Sequence, residues 1–91
     1  MYELKNQMES IVREVFLEYL KDHTLNCMCG RCQADIMAYV LNRLPARYTV
    51  SQRGEILTYL ENRTSPNKVK IMAEIVNAVE KIESSPSHWQ I

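Results

Sequence analysis

Three cysteines fall within six residues, Cys27, Cys29 and Cys32 in "NCMCGRCQAD", and the 91-residue chain contains no others. Thiols spaced this closely share one bend of backbone, so the segments on either side must meet at a single corner. A C-x-C-x2-C cluster suits a zinc ion, because thiolates are good zinc ligands and a tight turn can present several to one centre. Gly30, inside the cluster, is expected to help the backbone turn. Three sulfurs leave a tetrahedral structural site one ligand short. His88 is the preferred fourth ligand, since binding would anchor a tail with little other reason for order. His23, Asp35, water and a residue from another chain are the alternatives. Other uses of the cluster compete with zinc. Cys29 and Cys32 have the C-x2-C spacing of a redox pair, and a cysteine can simply fill a core. An iron–sulfur cluster ordinarily takes four cysteines over a wider spread.

The flanking sequence is helical in pattern. Met8, Ile11, Val12, Val15, Phe16, Tyr19 and Leu20 recur at i, i+3, i+4, which predicts an amphipathic helix over 2–22. Leu17 falls on its polar face. "QADIMAYVLNRL" predicts a second helix, with Ile36, Met37, Val40, Leu41 and Leu44 on a wide apolar face and Tyr39 away from it. Pro45 ends that helix, because the residue before proline avoids the helical region. Thr49 and Gln52 have capping-box spacing, so a third helix is expected from there to Asn62, burying Ile56, Leu57 and Leu60. Ser65-Pro66 restarts the chain as N-cap and first helical residue. The fourth helix then buries Val69, Met72, Ile75, Val76, Val79 and Ile82 and exposes Lys70, Glu74, Asn77 and Lys81. "SSPSHWQI" has no helical pattern, and no segment alternates as a strand would. The expected fold is all-α: one small domain over 1–91, a bundle of about four helices with the cysteine cluster between helices 1 and 2.

A hydrophobic content of 46% supports a packed core, and no apolar run approaches the roughly 20 residues of a membrane span. The charged N-terminus lacks the apolar stretch of a secretion signal. A cytoplasmic location is therefore expected, where a structural disulfide is disfavoured, as it is by an odd cysteine count. The formal net charge is zero, yet residues 43–70 carry six cations against two carboxylates, a net of +4. Solvated helix faces account for most such biases, although a basic middle also suits an anionic ligand. No Glu-bearing His-x-x-x-His helix, nucleophile elbow or phosphate loop is present, so no enzymatic activity is expected.

The stretch "CMCGRCQADIMAYVLNRLPARY", following a long amphipathic helix, resembles the late competence ComFB family. The likeness is strongest from Cys27 to Tyr48 and extends to the closing "SSPS". It implies an all-helical homodimer carrying zinc on its cysteines, and members of the family have been described as receptors for cyclic di-GMP linked to competence, motility and pili. Some relatives are expected to carry a fourth cysteine towards the C-terminus, where this chain has His88.

A cyclic dinucleotide needs cations for its phosphates, flat groups for its guanines and an acceptor for guanine N–H donors. Arg43, Arg47 and Tyr48 surround the Pro45 turn, and Asp35 on the same helix supplies a carboxylate. Each has a plainer use, in ion pairs or packing. The competing function is a zinc-braced adaptor that binds an unidentified protein of the DNA-uptake machinery and takes no small ligand. Direct DNA binding is disfavoured, because the charge bias is modest and no recognition-helix motif is evident.

Overall fold

The computed structural model describes residues 3–64 and 66–84. Its elements run in the order β1 (Lys5–Asn6), α1 (Met8–Asp22), α2 (Gly30–Leu41), β2 (Tyr48–Thr49), α3 (Gln52–Arg63) and α4 (Asn67–Ser84). The architecture is all-α, with four helices among the described residues. None of them is long and apolar enough to cross a membrane.

The first helix starts six residues later than its apolar pattern suggests, because the preceding segment is taken into a ladder. Lys5 pairs with Thr49 and Asn6 with Tyr48, antiparallel, in the two short strands that the sequence reading did not anticipate. Asn6 fastens this corner twice. Its side-chain oxygen accepts from the Met8 amide at 3.2 Å and from the Arg47 amide at 3.0 Å. The Gln7 amide also donates to the Arg47 carbonyl at 2.7 Å. Donors at the start of α1 thus find partners across the chain rather than in a longer helix.

The core forms where three helices meet. Met8, Ile11, Val12, Val15 and Phe16 of α1 face Ile36 and Val40 of α2, and Ile71, Ile75, Ala78 and Val79 of α4 complete the cluster with Leu25 from the α1–α2 loop. Met37, Tyr39, Leu41 and Leu44 are partly buried against it, so α2 is covered largely within its own chain. Two of the six apolar positions expected inside α4 are exposed: Val69 at 62% and Val76 at 40%. The buried stripe is instead Ile71, Ile75, Ala78 and Val79, a small rotation of the helix from the expected face.

Helix α3 departs furthest from expectation. Ser51, not Thr49, caps it, accepting from the Gly54 amide at 3.0 Å, while Thr49 is held in the ladder. The side expected to be buried faces outward, with Ile56, Leu57 and Leu60 each more than half exposed. What attaches α3 is polar. Tyr59 donates to Glu14 at 2.9 Å, and Arg63 donates to Glu18 at 2.9 Å. Asn62 is the buried residue of the helix, its amide donating to the Thr58 carbonyl at 2.9 Å. Ser65, the expected cap of α4, lies outside the described residues.

Glu18 also receives Lys68 at 2.9 Å, so one carboxylate of α1 clips the end of α3 and the start of α4. Hydrogen bonds from Lys68 and then Arg63 hold its carboxyl below the ordinary carboxylate range. A carboxyl with a depressed folded-state pKa adds stability above its unfolded value, and that stability is lost as pH falls through the folded value. Thermal melts followed by circular dichroism at pH 7, 5 and 3 should therefore show a larger acid-induced drop in the parent than in Glu18→Gln. Equal drops would contradict the clip.

Candidate metal centre and basic turn

Helix α2 begins inside the cysteine cluster rather than after it. Cys29 is its N-cap, with extended backbone at φ −64°, ψ 158°, and its thiol sulfur accepts from the Cys32 amide at 3.4 Å. A sulfur thus takes the role more often filled by a hydroxyl or carboxylate oxygen. The bend arises at Cys29. Gly30 is already the first helical residue, and a Cβ there would meet nothing within 4 Å, so glycine is not needed for the turn.

This cap gathers the thiols. The sulfurs of Cys27, Cys29 and Cys32 all lie within 4.8 Å of one another, with Cys27 half-buried, Cys29 exposed and Cys32 only 3% exposed. None of the three is in a disulfide. The Cys32 amide, followed by the Cys27 thiol, draws the Cys29 thiol below its usual range. Burial pushes the Cys32 thiol up to about 12, reinforced by its Cys27 and Cys29 neighbours. Two thiols at the positive end of a helix and a third behind them form a soft, convergent donor set that can hold a metal ion.

Among the described residues no histidine or carboxylate lies within that distance of all three sulfurs. The His23 ring stacks flat on Tyr19, centroids 4.3 Å apart, and its Nδ1 is 3.1 Å from the Tyr19 carbonyl. Asp35 is held one turn along α2 by Arg31 at 3.8 Å. His88 lies outside the described residues. The C-terminal end of α4 nevertheless reaches the cluster, because the Glu83 carboxylate accepts from the Asn26 amide immediately before Cys27. Burial and then the nearby Glu83 and Glu80 carboxylates raise the Tyr19 phenol, which marks the same convergence of helix ends.

The basic turn lies at the other end of α2. The Arg43 guanidinium sits 3.4 Å over the Tyr39 ring and donates to the Tyr39 carbonyl at 3.2 Å. Arg47 places its backbone in the ladder corner and its guanidinium 3.6 Å from Glu61. Tyr48 is 64% exposed. Arg47 and Tyr48 are consecutive but open onto different hollows, as neighbours along extended backbone do. Arg47 lines a notch of about 120 Å³ with Pro45, Asn62, Asn67 and Lys70. Tyr48 lines a groove of about 640 Å³ whose other charged walls are Glu3, Lys5, Glu9 and Glu55.

The four residues proposed for an anion are therefore divided. Arg43 and Arg47 flank the turn, whereas Asp35 is roughly 12 Å along the helix from Arg43 at 1.5 Å per residue. Sequence reasoning missed Lys70, Asn62 and Asn67 as neighbours of Arg47. Lys70 was visible in the basic segment, but only the packing of α4 beside the Pro45 turn brings it to the notch.

No curated protein sequence matches the chain. A solved structure does: that of the late competence protein ComFB from Bacillus subtilis superposes with a TM-score of 0.83 at 21% identity, covering 92% of this chain and 92% of that one. At that identity the likeness speaks for the fold. The model of the family described as late competence development protein ComFB matches residues 5–86, and the chain accordingly belongs to the ComFB family.

Proposed function

We propose that the protein is a non-enzymatic, zinc-braced regulatory protein of the cytoplasm that receives a cyclic dinucleotide, cyclic di-GMP, at its basic turn. The observation that carries the zinc half is the convergence of three thiols on the cap of α2. Bonds of about 2.3 Å in a tetrahedral zinc site put sulfurs roughly 3.8 Å apart. Thiols already within 4.8 Å need only small side-chain rotations to reach that spacing. His88 is the proposed fourth ligand. Glu83, near the end of α4, meets the Asn26 amide next to Cys27, and the four residues from Ser84 to His88 can span up to roughly 14 Å.

The metal's role in this reading is structural. It holds the α1–α2 corner to the end of α4 in a small protein, and structural zinc can contribute on the order of 10 kcal/mol to folding. Metal analysis of purified protein should find one zinc per chain, and Cys29→Ser should release it and lower the melting temperature. Metal-free protein together with a variant that melts like the parent would refute the site.

The nucleotide half rests on the notch beside Pro45, where Arg47 and Lys70 supply cations and Asn62 and Asn67 supply amide groups. Arginine forks to phosphate or to a guanine edge, whereas Tyr48 opens onto the neighbouring acidic groove and reaches such a ligand only if a base extends beyond the notch. Arg43, stacked on Tyr39 just beyond α2, is a further cation of the proposed set. Asp35, held near the cysteine end of α2, is the weakest member of the proposed set. The alternative, an adaptor that binds another protein of the competence machinery without a small ligand, is favoured by the apolar outer face of α3. Isothermal titration with cyclic di-GMP separates the two. The receptor reading expects saturation by the parent, at least a tenfold loss in Arg47→Ala from a charge-assisted contact worth about 1.5–3 kcal/mol, and unchanged zinc content. Full affinity in Arg47→Ala would put the ligand on another surface, and silence in the parent would leave the adaptor.

A further inference from the structure

The three thiols at the α1–α2 corner do not meet solvent equally. Cys29 is exposed, Cys27 is half-buried and Cys32 is buried. Cys29 is also the N-cap of α2, and its sulfur points into the first turn to accept the Cys32 amide at 3.4 Å. An exposed cysteine at the positive end of a helix, with a withdrawn one three residues on, has the layout of a dithiol–disulfide couple. The first sulfur meets the oxidant and the second resolves it. A purely structural metal site leaves this C-x2-C asymmetry unused.

We infer that Cys29 and Cys32 form a reversible redox couple, which a peroxide oxidises to a disulfide and which thereby discharges the metal from the corner. The couple stands on the cysteine geometry, whereas the discharge rests on the zinc proposed for the same sulfurs. All three sulfurs lie within 4.8 Å of one another, so rotation of two side chains brings a pair to the roughly 2 Å of a disulfide bond. Cys27 is the poorer partner for Cys29, because a single intervening residue closes a ring too tight for relaxed disulfide geometry. The reducing compartment expected for this chain disfavours permanent disulfides and admits transient, redox-sensing ones.

The chemistry balances in two steps. The Cys29 thiolate attacks a peroxide oxygen: an S–O bond forms, the O–O bond breaks, and the departing oxygen takes a proton from solvent. The Cys32 thiolate then attacks the sulfur of the resulting sulfenic acid. An S–S bond replaces the S–O bond, and hydroxide leaves and takes a second proton to become water. Each sulfur gives up one electron, and the peroxide accepts both. Sulfurs joined in a disulfide no longer serve as thiolate ligands, so Cys27 and His88 are left of the proposed set, too few for a structural zinc site. A cellular thiol reverses the step by reducing the bridge.

Titration of the reduced, zinc-loaded full chain with hydrogen peroxide tests this. A stoichiometric dose should release zinc to a chromophoric chelator in step with bridge formation, and subsequent alkylation should label Cys27 alone. Trypsin cuts after Arg31, so mass spectrometry should find the peptide carrying Cys29 joined to the one carrying Cys32. Dithiothreitol should restore all three thiols. Cys27→Ser should still form the bridge, and Cys32→Ser should stop at a Cys29 sulfenic acid that dimedone traps. The parent's peptide map decides the matter even where a variant fails to fold. A bridge that engages Cys27, three alkylatable thiols after peroxide, or an irreversible sulfinic acid at Cys29 would each overturn the couple and leave the zinc site standing. Zinc retained by the bridged protein would overturn the discharge. A parent that forms the Cys29–Cys32 bridge but never held zinc would support the couple and remove the zinc site.

Discussion

Helices α2 and α4 lie side by side in opposite directions, and both candidate sites depend on that pairing. Ile36 and Val40 meet Ile71, Ile75, Ala78 and Val79 in a core whose side chains are almost wholly withdrawn from water. Burying a branched aliphatic side chain stabilises a fold by about 1.5–3 kcal/mol, so this seam outweighs the exposed ion pairs around it. Its antiparallel sense has a consequence for function. At one end it brings the last turn of α4 to the cysteine corner, through Glu83 and Asn26. At the other it brings the first turn of α4, with Asn67 and Lys70, against Arg47 and the Pro45 turn.

The parts of this architecture governed by local rules were legible in the sequence. The 3.6-residue period of Met8 to Phe16 gave the buried face of α1 correctly, and the cysteine spacing marked the corner between two helices. Tertiary competition decided the rest. The apolar pattern extends α1 back through residues 5–7, but the Asn6 side chain and the pairing with residues 48–49 bind that backbone more effectively. Thr49 and Ser51 are both plausible caps, and the ladder leaves only Ser51 available. For α3 the periodicity identified an apolar face but not its direction, because hydrophobic patterning shows which residues avoid water and not which surface covers them.

The candidate sites divide in the same way. Cys27, Cys29 and Cys32 are so close in sequence that almost any bend brings their sulfurs together. That Cys29 would cap α2 with its sulfur depends on where the helix starts, and the pattern placed that start later. Asp35, Arg43, Arg47 and Tyr48 form a cluster only when the chain is read as a line. Arg47, just before β2, and Tyr48, its first residue, open into separate hollows, and the rise of α2 carries Asp35 away from the turn. Lys70, distant in sequence, takes a place beside Arg47 that adjacency could not reveal.

The zinc proposed for the thiol cap of α2 would be held by three sulfurs and the His88 imidazole. X-ray absorption at the zinc edge on the loaded protein addresses it directly. A first shell of three sulfurs at about 2.3 Å and one imidazole nitrogen at about 2.0 Å is expected, with the nitrogen signal lost in His88→Ala. A shell of four sulfurs, or a nitrogen signal that persists in His88→Ala, would contradict it.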